Sequence, residues 1–147
     1  MSDFANGVAV IRYLLANNAA VLAIVPAERI AAGDVPLDTT LPAISVDEIS
    51  GVPYNTVSGK EIGKTLHTER IQVTGLVKST TAAPAGGGYP GLRTLMRAIF
   101  LACPTQRGTI VGVDVDSITP DLEGPDLPDA GSGVLSSTRD FFVRYFA

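Results

Sequence analysis

The segment HTERIQVTGLVKS, His67–Ser79, alternates between apolar and polar positions. Ile71, Val73 and Val77 fall on one side with Gly75 between them, and Arg70, Gln72, Thr74 and Lys78 fall on the other. Successive strand side chains point to opposite faces, so the pattern predicts a sheet with one apolar and one polar face. Two other periods surround it. Phe4, Val8, Ile11 and Leu15 fall at helical spacing behind a cap at Ser2 or Asp3. Asn17 or Asn18 starts a short second helix, AAVLAIV, which Pro26 stops. The clearest helix is YPGLRTLMRAIFLACP, where Leu92, Leu95, Met96, Ile99, Phe100 and Cys103 form one stripe between Pro90 and Pro104. It is expected to cover the apolar face of the sheet.

Three further strands are predicted. AISVDEIS places Ile44, Val46 and Glu48 opposite Asp47 and Ile49. TIVGVDVDSIT alternates Val111, Val113 and Val115 with Gly112, Asp114 and Asp116. STRDFFVRYFA closes the chain with Phe141, Val143 and Tyr145 opposing Asp140, Phe142 and Arg144, so both faces of that strand are apolar in part. Between the elements lie a connector over 28–42, a long hairpin tip over 51–65, a flexible linker TTAAPAGGG and an acidic loop over 119–133. The expected fold is α+β in a single domain over 1–147. It has a mainly antiparallel sheet packed against one long helix, with N-terminal helices.

Composition narrows the role. Charged residues make up 18% of the 147, against about 25% in ordinary soluble domains. A surface short of charge tolerates subunit contact, though Gly, Ser and Thr can equally replace charge on a monomer. The net charge is −4 with no basic stripe, which gives a duplex-binding surface little support. Cys103 is the one cysteine, so no internal disulfide forms. No run approaches the length of a membrane helix, and MSDFANG has no signal-peptide pattern, so a soluble cytoplasmic chain is expected.

Candidate chemistry is sparse. His67 is the single histidine and reads as a solvated strand residue, not a triad member or zinc ligand. Gly86, Gly88 and Gly91 match the spacing of a dinucleotide fingerprint, but Pro90 removes one amide and no further parallel βαβ unit follows. Asp114, Asp116, Asp121, Glu123 and Asp126 are oxygen-rich without calcium-loop spacing, and Asp114 and Asp116 on one strand face read as meeting water or arginines such as Arg139 or Arg144 across a sheet. No catalytic, cofactor or metal residue is expected.

The order of these elements resembles the tail terminator, or tail completion, proteins of long-tailed bacteriophages. The resemblance runs through LLANNAAVLAIVPAERI, LPAISVDEISG, RIQVTGLVKS, LRTLMRAIF, GVDVDSI and RDFFVRYFA. It implies a non-enzymatic virion subunit, assembled in the host cytoplasm, that forms a hexameric ring on the head-proximal end of the tail tube. Such a ring stops tube growth, docks the head connector or stopper, and lets genomic DNA through its lumen without specific binding. It involves no cofactor and no membrane. On that footing Asp47, Glu48, Tyr54, Lys60 and Glu61 are expected partner contacts. Asp114, Asp116, Asp121 and Glu123 are expected to line the lumen, where like charge keeps DNA from sticking. The alternatives are a neck or head-completion connector, a small nucleotide-binding enzyme, and a plain monomeric α+β domain.

Overall fold

A computed structural model describes residues 6–33, 40–53, 66–79, 87–129 and 133–146. The chain begins with helix α1 (Gly7–Ala16), a one-turn helix α2 (Ala19–Leu22) and a 3₁₀ turn (Ala27–Arg29). Strands β1 (Ile30–Ala32), β2 (Ala43–Pro53) and β3 (Leu66–Lys78) follow, then helix α3 (Gly88–Ala102). The chain ends in β4 (Gly108–Ile110), β5 (Val113–Glu123), β6 (Leu127–Asp129) and β7 (Val134–Phe146).

Local chemistry sets the helix starts. The Asn6 side chain accepts from the amides of Val8 and Ala9, and Asn18 accepts from Val21, satisfying donors that a helix leaves open in its first turn. Asn18, not Asn17, therefore caps the second helix. Ser2 and Asp3, expected to cap the first, lie outside the described residues.

All described strands join one sheet in the order β1-β2-β3-β7-β5-β4, with β6 added beside β7. β3 and β7 pair along their full lengths, from Leu66↔Phe146 to Lys78↔Val134. β1 pairs with β2 in parallel, and the other pairs are antiparallel. The alternation of β3 holds: Ile71, Val73, Gly75 and Val77 are buried, while Arg70, Gln72 and Thr74 are half-buried on the other face.

The expected fold class is corrected. The molecule is mostly one curled, mixed sheet with short helices, not a mainly antiparallel sheet under one long helix. Dimensions explain why. A helix is about 10 Å across, and strands lie about 4.8 Å apart, so one helix covers roughly two strands. α3 lies on β3 and β7, while α1 lies over β1, β2 and β3. Ala32 on one sheet edge and Val111 beside the other both line a cleft along α1, so the sheet curls around that helix. β1 was hidden in the predicted connector because a three-residue strand shows no alternation.

Two more boundaries differ. The predicted strand TIVGVDVDSIT is a hairpin, β4 and β5, that turns at Val111 and Gly112 with φ of 52° and 75°. Two successive positive φ values make the tight turn that matches strand twist. Valine masked it, because a β-branched residue reads as strand. The predicted acidic loop is largely strand as well. β5 continues to Glu123, the amide of Gly124 bonds the Thr138 carbonyl at 2.8 Å, and β6 pairs with β7.

The core lies between the helices and the inner face of the sheet. Ile11, Leu15, Leu92, Leu95, Met96 and Ile99 meet Ile44, Val46, Ile71, Val73, Phe141 and Val143 there. Gly75 brings α3 close: a Cβ there would stand 2.7 Å from Met96 Sδ and 3.1 Å from Leu95 Cδ2. Cys103 is buried in the same core, and burial pushes its thiol up to about 12, so it is an inert packing residue.

Candidate assembly surfaces

The outer face of the sheet is polar because β2, β3, β7 and β5 all turn their polar positions toward it. Cross-strand register stacks Asp47, Gln72 and Asp140 in one row, and Ser50, Arg70, Phe142 and Thr119 in the next. Arg70 organises these rows. Its Nε and Nη2 donate to Asp140 Oδ2 at 3.0 and 2.7 Å, and Nη2 lies 3.2 Å from Asp121 Oδ2. Asp140 is only 5% exposed, so its charge needs that partner. Beside it the Arg144 guanidinium sits 5.6 Å from the Phe142 ring centre and donates to Thr119 Oγ1.

A second arginine group lies on the helix side. Arg93, Arg97 and Phe100 of α3 and Arg139 of β7 line a cleft of about 310 Å³. Arg139 stacks 4.4 Å from the Phe100 ring centre, and its Nε is buried with no hydrogen-bond partner. Arg93 donates to Glu123 Oε1 at 2.5 Å and to Asp126 Oδ1 at 3.2 Å. Arg139 Nη2 reaches Glu123 Oε2 at 3.4 Å. The Arg93 hydrogen bond, helped by the Arg139 charge, holds the Glu123 carboxyl below its ordinary range. Arg97 makes no ion pair among the described residues.

The third group is acidic and lies under the start of α1. Glu69 is buried, and its Oε1 accepts from the Gly7 amide at 2.7 Å. Glu48 shares a hydrogen bond with Glu69, and that bond, with burial and the Glu69 charge, raises the Glu48 carboxyl above its ordinary value. Tyr145 is raised too, first by burial and then by its hydrogen bond to Glu69. His67 stacks on the Tyr145 ring at 5.4 Å between centres, so it packs as a strand residue. Among the described residues, no group of three or more His, Cys, Asp or Glu is placed to hold a metal. The only parallel pair among the described strands is β1–β2. α3 is therefore not the crossover of a parallel unit, and Gly86 of the glycine match lies outside the described residues.

The residues expected from sequence are distributed unevenly. Asp47 and Glu48 sit on opposite faces of β2; Tyr54, Lys60 and Glu61 lie outside the described residues. Asp114, Asp116, Asp121 and Glu123 all stand on β5. The sheet brings Asp121 to Arg70, and Glu123 to Arg93 and Arg139, while Asp116 is exposed. Arg70, Arg93, Arg97, Arg139 and Glu69 were not singled out as site residues. Arg93 and Arg97 stand four apart on the best-predicted helix, a spacing that puts them on one face.

The described residues thus form a two-faced sheet with self-paired polar rows and charged flanks. Its class follows from its relatives. A family model described as "Tail completion protein gp17" matches residues 9–117, and the chain belongs to that family of phage tail completion proteins. Among solved structures, a chain described as "Virion of native gene transfer agent (GTA) particle" is similar in fold. Its TM-score is 0.61 at 15% identity, with 99% of this chain and 100% of that chain covered. No curated protein matches the chain. The protein is thus a phage tail structural protein located in the virion.

Proposed function

We propose that this chain is the ring-forming terminator that caps the head-proximal end of the tail tube, stops tube polymerisation and joins tail to head connector. The observation that carries the reading is the family match over 9–117. The surface supports it in a second way. Its sheet ends differently on its two flanks, acidic beside β2 and arginine-rich beside β5, as a subunit that meets identical copies head to tail through two different patches requires. The work is geometric and needs no catalysis or cofactor.

The partners in this reading are further copies of the chain in a hexameric ring, the tail tube protein, and the head-tail connector or stopper. Genomic DNA passes through the lumen. Of the acidic residues of β5, the exposed Asp116 is suited to repel DNA from a lumen wall. Asp121 and Glu123 are muted by their arginines. Asp47, Glu48 and the segment bearing Tyr54, Lys60 and Glu61 are the proposed contacts to neighbours.

The test is electron microscopy of particles assembled without this chain. Tails of irregular length, unattached to heads, are the expected result. Tails of uniform length joined to capsids would overturn the reading.

A further inference from the structure

We propose that the Arg93–Arg97–Arg139 cleft receives the acidic edge of β2, Glu48 and Ile49, from a second copy of this chain, in a head-to-tail contact. The proposal deepens the ring reading above and rests on it for closure of the assembly.

Charge is the first argument. Three guanidiniums line the cleft or its rim, and among the described residues two carboxylates, Glu123 and Asp126, answer them. One positive charge is left over, on a chain whose net charge is −4. The surplus sits on Arg97, which is exposed on α3. A carboxylate from outside the subunit would complete the set, since guanidinium forks suit carboxylates.

The β2 edge supplies one. β1 covers only Ile44, Ser45 and Val46 of β2, so beyond Val46 no described strand pairs with that side. Glu48, Ile49, Ser50 and Gly51 are exposed there, and no basic residue occurs from Ala43 to Pro53. A bulge between Glu48 and Ser50 turns Ile49 outward, leaving it 48% exposed. An apolar tip beside an acidic residue, Ile49 next to Glu48, fits a cleft with an aromatic floor and a cationic rim. Phe100 forms that floor, and Leu101, 64% exposed, stands beside it.

Placement makes the contact intermolecular. The sheet order puts β2 on one flank and the β7–β5 side, with the cleft, on the other. One subunit cannot fill its own cleft with its own β2 edge, whereas identical copies set side by side can, each using both patches once. The two patches also lie at similar height. Register aligns Arg139 with Val73 and Val46, two residues from Glu48. A nucleic-acid backbone fits less well, because the cleft keeps two carboxylates and no basic stripe leads from it.

The test uses the full chain, alone and with isolated tail tubes, and reads assembly size by sedimentation velocity and native mass spectrometry. Arg97→Glu and Glu48→Lys are each expected to weaken self-association at least tenfold while thermal melts stay cooperative. The double variant is expected to restore it, because the swapped charges meet again between copies. Glu48→Gln, which keeps the bond to Glu69, serves where Glu48→Lys melts early, and is expected to weaken association in the same direction. Wild-type assembly that both single variants leave unchanged would overturn the contact and leave the ring reading standing. No assembly of the wild type, alone or on tubes, would overturn both. Retention of duplex DNA by the wild type that Arg97→Glu abolishes, with assembly untouched, would overturn the contact in favour of a phosphate site.

Discussion

Two arginine groups stand on opposite faces of this sheet and do different things with the same chemistry. Arg70 lies between Asp140 and Asp121, one cation held by two carboxylates, with Asp140 buried. Arg93, Arg97 and Arg139 outnumber their two carboxylates, and Arg97 is exposed and unpaired among the described residues. The first group is closed: each of its three members has an ion-pair partner within the chain, and losing Arg70 strands the buried Asp140. The second is open, with a charge and an aromatic surface left for something else. The contrast separates a charge cluster that holds the fold from one that is available for assembly.

The sharpest way to break that contrast is Arg70→Ala. Asp140 would keep its buried position and lose its bidentate donor. A cost of about 2–3 kcal/mol is expected, the range for a charged hydrogen bond removed from a buried partner. Urea unfolding measures it. A double-mutant cycle with Asp140→Ala is expected to return much of the loss, because no charge is then left stranded. A cost for Arg70→Ala no larger than that of an exposed ion pair would erase the distinction between the groups.

Local pattern made one of these groups half-visible and left the other dark. The alternation of β3 announced a polar face, and Arg70 was on it. Its partners were not legible, because Asp121 and Asp140 reach it only through the order β3-β7-β5. Hydrogen bonding between distant strands leaves no mark in a local window. The acidic stretch of β5 was read as loop because Pro120 and two register shifts broke its period. Asp114 and Asp116 were expected to meet water or Arg139 or Arg144; Asp116 is exposed, while Arg139 meets Glu123 and Arg144 meets Thr119. The α3 stripe was plain and its buried members are as expected, apart from Phe100, which is half-buried under Arg139. What periodicity could not tell is how many strands one helix covers, and so the mixed, curled sheet was missed.

Acid titration sharpens the comparison on a smaller scale. Glu123 is held below its ordinary value of 4.5, chiefly by Arg93. Its contribution is therefore present above that value and lost as pH falls through the lower, folded-state value. Glu48 is raised above 4.5, chiefly by its hydrogen bond to Glu69. Its contribution has the opposite sign: present below 4.5 and lost as pH rises through the raised value. At neutral pH, Glu123→Gln is expected to cost, and Glu48→Gln to gain, up to about 1 kcal/mol, the ceiling for exposed pairs. Both differences are expected to shrink on acidification, the Glu48 one first. Denaturant midpoints across pH 7 to 3 check the order. A Glu48→Gln variant less stable than wild type at neutral pH would mean that the carboxyl pair supports α1 instead of straining it.

The smallest expected effect on stability is the most telling for assembly. Arg97→Ala removes an exposed charge with no described ion pair, so folding stability should change by no more than about 0.5 kcal/mol. Its α-helix propensity even favours the change slightly, since alanine is the best helix former. Arg70 and Arg97 thus form a matched pair of truncations: same residue type, same net charge change, one felt by the fold and the other not. Thermal melts of both variants at low protein concentration make the comparison directly. Should Arg97→Ala destabilise the isolated chain as much as Arg70→Ala, the α3 cleft is part of the fold's own scaffolding, and its surplus charge is not free to meet a neighbour.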